Sequence, residues 1–351
     1  MTPFLTLGIE TSCDDTGVAL LEGERLVRSE RLSSQITTHA PFGGVVPEYA
    51  SRMHLEATIP LVCDVLAEGG VTDPRRELSL ISVTAGPGLM GSLLVGVMAA
   101  KGLSAGWGTP ILGVNHLEGH IFANVVTFPD LHPPFLCLIV SGGHTEIVRV
   151  RDYGDYAVIA RTRDDAAGEA YDKVAKLLNL GYPGGPVVDR LAASGDCDRF
   201  PFPVPLKHDP VLALSFSGLK TAVLWALRDY EGRESEIPVA DVCASFQKAA
   251  IDAIVSKVDL AVQETGIRSV CLAGGVAANS ALRAAVSGSR RFSAWYPPLN
   301  RCTDNAVMIA AAGYNAFRRG SRSSWELSAD PSWELPFEEL NIIKEKHEKT
   351  R

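Results

Sequence analysis

Short apolar runs broken by polar, glycine-bearing loops set the first pattern along this chain. LTLGIE, from residue 5, has the length and apolar character of a buried strand; TSCDD follows as a polar loop, and TGVALLE returns as a second strand. The plan recurs from residue 135 as FLCLIV, a Ser-Gly-Gly-His loop, and TEIVRV. After each hairpin and some helical sequence come a strand, a glycine-rich turn and a helix of small residues. In the first half this is LSLISVTAGPGLMGSLLVGVMAAKGL, and in the second RSVCLAGGVAANSALRAAV. The proline-rich TFPDLHPPF connects the halves. The pattern predicts an α/β fold built from two related domains around a cleft. Ligands in such folds sit where glycine loops and helix N-termini converge. The expected division is residues 1–130 plus about 306–335 for the first domain and 131–305 for the second. A last helix, roughly Asn305 to Phe317, is expected to pack back on the first domain, and 336–351 reads as a mobile charged tail.

Composition narrows this picture. The chain has 351 residues, 46% hydrophobic and 21% charged, an ordinary globular balance with room for two domains. A net charge of -8 is a poor basis for binding nucleic acid unaided. Seven cysteines without a C-x-x-C pair read as a reduced, cytoplasmic chain. The N-terminus lacks the basic and apolar regions of a signal peptide, and no run is long enough to span a membrane.

Several motifs carry chemistry, each with a structural alternative. In NHLEGH, His116 and His120 lie one helical turn apart, with Asn115 as an N-cap and Glu118 three residues on. Such a pair either binds a metal or is a polar pair near a helix start. It is not the zincin H-E-x-x-H, because the glutamate is displaced. Asp304, at the start of CTDNAVMIA, is either an N-cap or the third ligand of a two-histidine, one-carboxylate site suited to iron(II) or zinc. Gly86, Gly88 and Gly91 form G-x-G-x-x-G, but the acidic residue a dinucleotide site wants about 20 positions on is missing. Ser141-Gly142-Gly143 can direct amides at an anion or simply turn a hairpin. In GYPGGPVVDRL, Pro186 reads as the first helical residue, with Gly185 amides free to approach a ligand and Asp189 one turn in. Asp172 sits beside an apolar helix face, where a salt bridge to Lys176 would also explain it. Asn279 closes AGGVAAN, as a hydrogen-bonding partner for a flat ring or as part of a helix start.

Taken in order, GIETSCDDTGVAL, GGVVPEYASRMH, TAGPGLMGSLLVG, NHLEGH, VSGGHTEI, DDAAGEAYDKVAKLLNLGYPGGP, LSFSGLKTAV, AGGVAANSALR and CTDNAVMIA resemble the TsaD family over about residues 5 to 318. These are tRNA adenosine threonylcarbamoyltransferases, once described as O-sialoglycoprotein endopeptidases. The resemblance implies the duplicated actin-like ATPase fold (ASKHA, RNase H-like). It implies one divalent ion per subunit, Fe2+ ahead of Zn2+, on His116, His120 and Asp304. It implies substrate contacts from Ile139, Val140, Ser141, Gly142, Gly143, Asp172, Gly185, Asp189 and Asn279. By the same resemblance, the threonylcarbamoyl group moves from threonylcarbamoyl-adenylate to the exocyclic amine of adenosine 37, in tRNAs reading codons that begin with A. TsaB-like and TsaE-like proteins are the implied partners. Glu10, Asp14 and Glu118 are general-base candidates by residue type alone. The competing activities are a metal-dependent peptidase and a small-molecule kinase of the same fold.

Overall fold

The computed structural model describes residues 3–340. These residues divide into two compact units, one of residues up to 132 with 297–335, the other of 133–296 with 336–340.

The first unit opens with β1 (Leu5–Glu10), β2 (Asp15–Glu22) and β3 (Leu26–Ser34). Short α1 (Ile36–His39), long α2 (Pro47–Glu68) and short α3 (Pro74–Glu77) follow, then β4 (Leu78–Gly86), α4 (Met90–Trp107), β5 (Ile111–Asn115) and α5 (His116–Thr127). Its sheet runs β3-β2-β1-β4-β5, antiparallel across the first three strands and parallel from β1 to β5. The second unit repeats this with β6 (Phe135–Val140), β7 (Thr145–Asp152) and β8 (Asp155–Thr162). After these come α6 (Ala167–Leu177), α7 (Gly184–Ala192), β9 (Ala213–Leu214), α8 (Ser217–Arg228), α9 (Val239–Thr265), β10 (Ser269–Ala273), α10 (Ser280–Ser287) and β11 (Ser293–Trp295). Its sheet order, β11-β10-β6-β7-β8-β9, matches the first strand for strand, with β9 added at one edge. The repeated hairpins seen in the sequence are therefore the same half-sheet built twice. The chain ends its regular structure in α11 (Ala306–Arg318), which packs on β1, β2, β4 and α5.

Strand β1 shows how sequence period places the chemistry. Side chains alternate along a strand. Leu5, Leu7 and Ile9 join a core with Val62, Val65 and Leu66 of α2 and Val97 and Ala100 of α4. The alternate residues, Thr6, Gly8 and Glu10, are also fully or nearly buried, so the strand is covered on both faces. On that second face Gly8 lies against α11; a Cβ there would stand 2.3 Å from the Ala306 carbonyl oxygen. Only glycine admits such an approach, and it brings the start of α11 beside Glu10.

Two expected boundaries differ. Residues 297–305, assigned from sequence to the second domain, group with the first unit, where Arg301 pairs with Glu30 at 2.6 Å. The segment from 336 does not begin as a free tail. β9 pairs only with Arg161 and Thr162, leaving the rest of the β8 edge unpaired by it. Val158 there donates to the Pro336 carbonyl at 2.7 Å and accepts from Glu338 N at 2.9 Å, while Glu338 pairs with Arg151 at 2.8 Å and with Arg149. The remainder of that predicted tail, 341–351, lies outside the described residues. Among the described residues no helix is long and apolar enough to cross a membrane.

Candidate metal centre and glycine loops

Asn115 ends β5 in extended conformation and caps α5: its Oδ1 accepts from Leu117 N at 2.9 Å and Glu118 N at 3.3 Å, and its Nδ2 donates to the Trp333 carbonyl at 2.8 Å. The cap starts the helix at His116, so His116 and His120 fall on one face, ring centroids 4.6 Å apart. Gly119 between them weakens a lone helix but lets α5 close on α11; a Cβ there would stand 2.7 Å from Ile309 Cδ1. At α11 the cap is Asn305, whose Oδ1 accepts from Met308 N at 3.1 Å. That relieves Asp304 of the capping role the sequence allowed it. Its Oδ1 instead lies 3.4 Å from Nε2 of both His116 and His120.

The three ligand atoms lie within 4.8 Å of one another. Neither ring nitrogen of His120, which is 1% exposed, makes a well-formed hydrogen bond: Nε2 meets only Asp304, at 3.4 Å, and Nδ1 has no partner. A buried polar atom left unpaired costs about 1–3 kcal/mol, so this ring is built for something that fills the gap. Burial lowers the His120 pKa, leaving its lone pair available. Burial also disfavours a charge on His116, but Asp304 and Glu10 outweigh it and raise its pKa well above the usual histidine range; a cation would take the place of the Nε2 proton between the same groups. Asp304 in turn is held far below the usual carboxylate range, despite burial, by the two histidines. Two imidazoles and an ionised carboxylate around one point are a donor set that fits a divalent cation.

Glu10 orients this set. Its Oε2 lies 3.0 Å from His116 Nδ1 and accepts from Thr84 Oγ1 at 2.7 Å, while its Oε1 accepts from Ser12 N. A carboxylate behind a metal-binding histidine fixes the ring and raises its basicity. The base candidates thus separate. Glu10 is fully engaged in holding His116. Glu118 lies 3.6 Å from Arg319. Asp14 stays part-exposed in the loop after β1, with burial raising its pKa. Ser12 and Thr84 escaped the sequence reading because hydroxyls in loops and strands carry no distinctive spacing. Glu10→Gln, which keeps volume but puts an amide where the carboxylate accepts, is expected to weaken Zn2+ affinity about 10- to 100-fold in a competition titration. An unchanged constant would separate Glu10 from the metal centre.

The second unit holds the other predicted positions. Ile139 and Val140 are not loop residues: they are fully buried and pair with Glu146 and Thr145 in the β6–β7 ladder. Their side chains are committed to the core, so any contact they make with substrate falls to the backbone at the end of β6. The loop proper is Ser141-Gly142-Gly143, closed by Ser141 N to the His144 carbonyl at 2.8 Å. Two glycines pin it. A Cβ on Gly168 would stand 2.6 Å from Ser141 O, and one on Gly274 (φ +86°) 2.4 Å from Val140 O. Gly142 and Gly143 themselves face open space.

Asp172 on α6 accepts from Gly184 N at 2.7 Å and so caps α7 across a loop. That helix begins at Gly184, two residues before the Pro186 start read from sequence, because this outside carboxylate satisfies its first amide. Asp189 accepts from Ser280 N at 3.0 Å and Ser280 Oγ at 2.8 Å. Asn279 caps α10 through Leu282 N at 2.8 Å and donates to Gln247 Oε1, also at 2.8 Å. Gln247 further accepts from Tyr171 OH at 3.3 Å. Asp189 and Asn279, 90 positions apart in sequence, thus meet at the start of α10. Asp189, Gln247 and Ser280 line a cavity of about 360 Å³. Gly185 faces open space. The G-x-G-x-x-G turn is a packing device: a Cβ on Gly88 would stand 2.5 Å from Ser12 O, and one on Gly86 would overlap the Asp330 carbonyl.

Comparison with known proteins places this arrangement. The family model "TsaD: tRNA N6-adenosine threonylcarbamoyltransferase" matches residues 26–311. A tRNA N6-adenosine threonylcarbamoyltransferase of Clostridium beijerinckii is 48% identical over 334 residues, covering 94% of this chain and 98% of its own. One of Thermosipho africanus is 47% identical over 335 residues, covering 94% and 100%. Among solved structures, HypF of T. kodakarensis superposes with a TM-score of 0.62 at 15% identity, over 91% of this chain and 48% of that one. Component A of the Acidaminococcus fermentans (R)-2-hydroxyglutaryl-CoA dehydratase gives 0.53 at 14%, over 89% and 98%. At such identities these structures establish shared fold, the duplicated actin-like ATPase fold, and nothing finer.

Proposed function

The chain belongs to the TsaD family, the tRNA N6-adenosine threonylcarbamoyltransferases, and on that premise we propose how its residues serve the transfer. The enzyme moves a threonylcarbamoyl group onto N6 of an adenosine in tRNA. We propose threonylcarbamoyl-adenylate as donor, and adenosine 37 of tRNAs reading codons that begin with A as acceptor. The observation that carries the mechanism is the convergence of His116, His120 and Asp304, with no well-formed hydrogen bond on the His120 ring.

These three residues would hold one divalent ion; the donor set suits Fe2+ or Zn2+, and the family resemblance puts Fe2+ first. When bound, the ion supplies Lewis-acid polarisation and counter-charge for the threonylcarbamoyl carbonyl. Glu10 holds His116 in register for that task. The Gly142 and Gly143 amides, fixed in place by Gly168 and Gly274, serve the phosphate. Asp172, Gly185, Asp189 and Asn279 serve the ribose and adenine. The N6 amine forms the new bond to the carbonyl carbon, the bond to the phosphate oxygen breaks, and AMP departs. Positioning supplies much of the rate, since AMP is already a good leaving group. Of the three base candidates, Glu10 is engaged with His116 and Glu118 lies against Arg319, so we propose Asp14, whose pKa burial raises, as acceptor of the amine proton.

We propose that the chain works in the cytoplasm with TsaB-like and TsaE-like proteins. An apolar surface supports a protein partner. On α2, Leu55 and Ile59 are exposed one turn apart; on the neighbouring α4, Met90, Leu94 and Met98 repeat that spacing. A patch of this kind marks an interaction site. The double change Leu55→Glu, Met98→Glu is expected to weaken TsaB-like partner binding about tenfold or more in calorimetry. Because these side chains are 70% and 56% exposed, the melting temperature should hold. Undiminished affinity would move the interface elsewhere.

The transfer itself is tested by supplying the chain with threonylcarbamoyl-adenylate, unmodified tRNA and partner proteins, then digesting the tRNA for mass spectrometry. Threonylcarbamoyladenosine that forms only when the chain is present supports the mechanism. Its absence with verified substrate and partners overturns the proposed donor or acceptor.

A further inference from the structure

Two buried histidines outside the metal cluster, His39 and His54, belong to a hydrogen-bond network of the first unit whose donors and acceptors can be assigned. Val46 N donates to His39 Nδ1 at 3.3 Å, so the proton sits on Nε2, which donates to Gln35 Oε1 at 3.0 Å. Gln35 Nε2 donates to the Ala50 carbonyl at 3.4 Å. On His54 the Cys13 carbonyl can only accept, so Nε2, 2.9 Å away, carries the proton. Nδ1 then accepts from the Thr16 hydroxyl at 2.8 Å, with Gln35 Nε2 a more distant second donor at 3.5 Å. Burial lowers the His54 pKa, in keeping with a neutral ring.

What His54 grips is the loop of residues 11–15, which adjoins the metal centre. Three successive carbonyls there are taken. Ser12 O accepts from Leu89 N at 2.8 Å, Cys13 O from His54 and from Ser92 Oγ at 3.3 Å, and Asp14 O from Gln35 N at 3.2 Å. Ser12 in turn reaches the ligands: its amide donates to Glu10, and its Oγ lies 3.2 Å from His116 Nδ1. His54 is thus three links from a metal-binding ring: His54 to Cys13, Cys13 to Ser12, and Ser12 to the Glu10–His116 pair. It comes from α2, an element that supplies no ligand.

We infer that His54 is a positioning residue for the transfer reaction: by holding the Cys13 carbonyl it fixes loop 11–15, and through Ser12 the Glu10–His116 pair, in the geometry the metal centre needs. The inference rests on the metal centre proposed above. Its consequence is that a change remote from substrate weakens metal binding and turnover together, and that a side chain keeping the N–H donor restores both.

The test compares His54→Phe, which keeps a ring but no donor, with His54→Gln, which keeps a donor and an acceptor. Co2+ is titrated into each metal-free protein and followed by its visible absorption; transfer kinetics and melting temperature are measured alongside. His54→Phe is expected to bind Co2+ about tenfold more weakly. Its kcat should fall about tenfold or more, with KM for the donor little changed. His54→Gln should recover most of both. Wild-type Co2+ affinity in His54→Phe, or a glutamine variant no better than phenylalanine, overturns the inference. Should His54→Phe not fold, Thr16→Val decides, since it removes only the hydroxyl donor to Nδ1. Co2+ binding weakened about threefold supports the inference, and unchanged binding overturns it. If wild type binds Co2+ but yields no product, the transferase mechanism fails, while the Co2+ comparison still judges His54.

Discussion

Replacing His120 with alanine is expected to strip the metal from the protein and lower transfer about 100-fold or more, while the fold stays intact. Loss of a direct ligand should exceed the 10- to 100-fold cost of disturbing a residue behind one. The stability side is a balance of two terms. Truncating a large buried side chain leaves a cavity that costs about 2–5 kcal/mol. Removing the buried, unpaired Nδ1 returns about 1–3 kcal/mol. The metal-free variant should therefore melt close to metal-free wild type, or only a few degrees lower. The measurement is metal content per chain by atomic emission, with product by mass spectrometry and melting with and without chelator. Full metal content with normal turnover would remove His120 from the centre. Chelator should lower the wild-type melting temperature but leave His120→Ala unmoved, because only a protein that binds the ion gains stability from it.

Gly8→Val should severely damage the fold of the first unit. A Cβ at this position would stand 2.3 Å from the Ala306 carbonyl oxygen and 2.9 Å from Ala310. The obstacle is helix backbone, which no rotamer change clears. Overpacking of this kind costs about 3 kcal/mol or more when the obstacle cannot move. Relief requires α11 to move off β1, and Asp304 lies just before that helix. Loss of stability in urea should therefore come with weakened metal binding in whatever fraction stays folded. A valine variant of wild-type stability would show that α11 does not depend on this contact. Gly142, facing open space, is the control: Gly142→Ala should leave the urea midpoint nearly unmoved.

Much of this was legible in the chain. The twice-written hairpin and glycine turn foretold the duplicated sheet, because strand length and period are local properties. Asn115 announced the start of α5, and one-turn spacing put His116 and His120 on one face. Other features were open until distant segments met. Asp304 could have capped its helix; Asn305 took that role, which only the backbone at the start of α11 decides. Glu10 read as a base by residue type, yet its carboxylate is spent on His116, Thr84 and Ser12. Ile139 and Val140 read as part of one loop with Ser141, yet they end strand β6, with their side chains in the core. Asp189 meets Ser280, and Gln247 meets Asn279, across separations no periodicity links. Sequence alone determined which elements form and which faces they bury, since those depend on neighbours within a turn or two. Tertiary structure alone decided which polar groups spend their hydrogen bonds on one another and which, like the His120 ring, are left for a ligand.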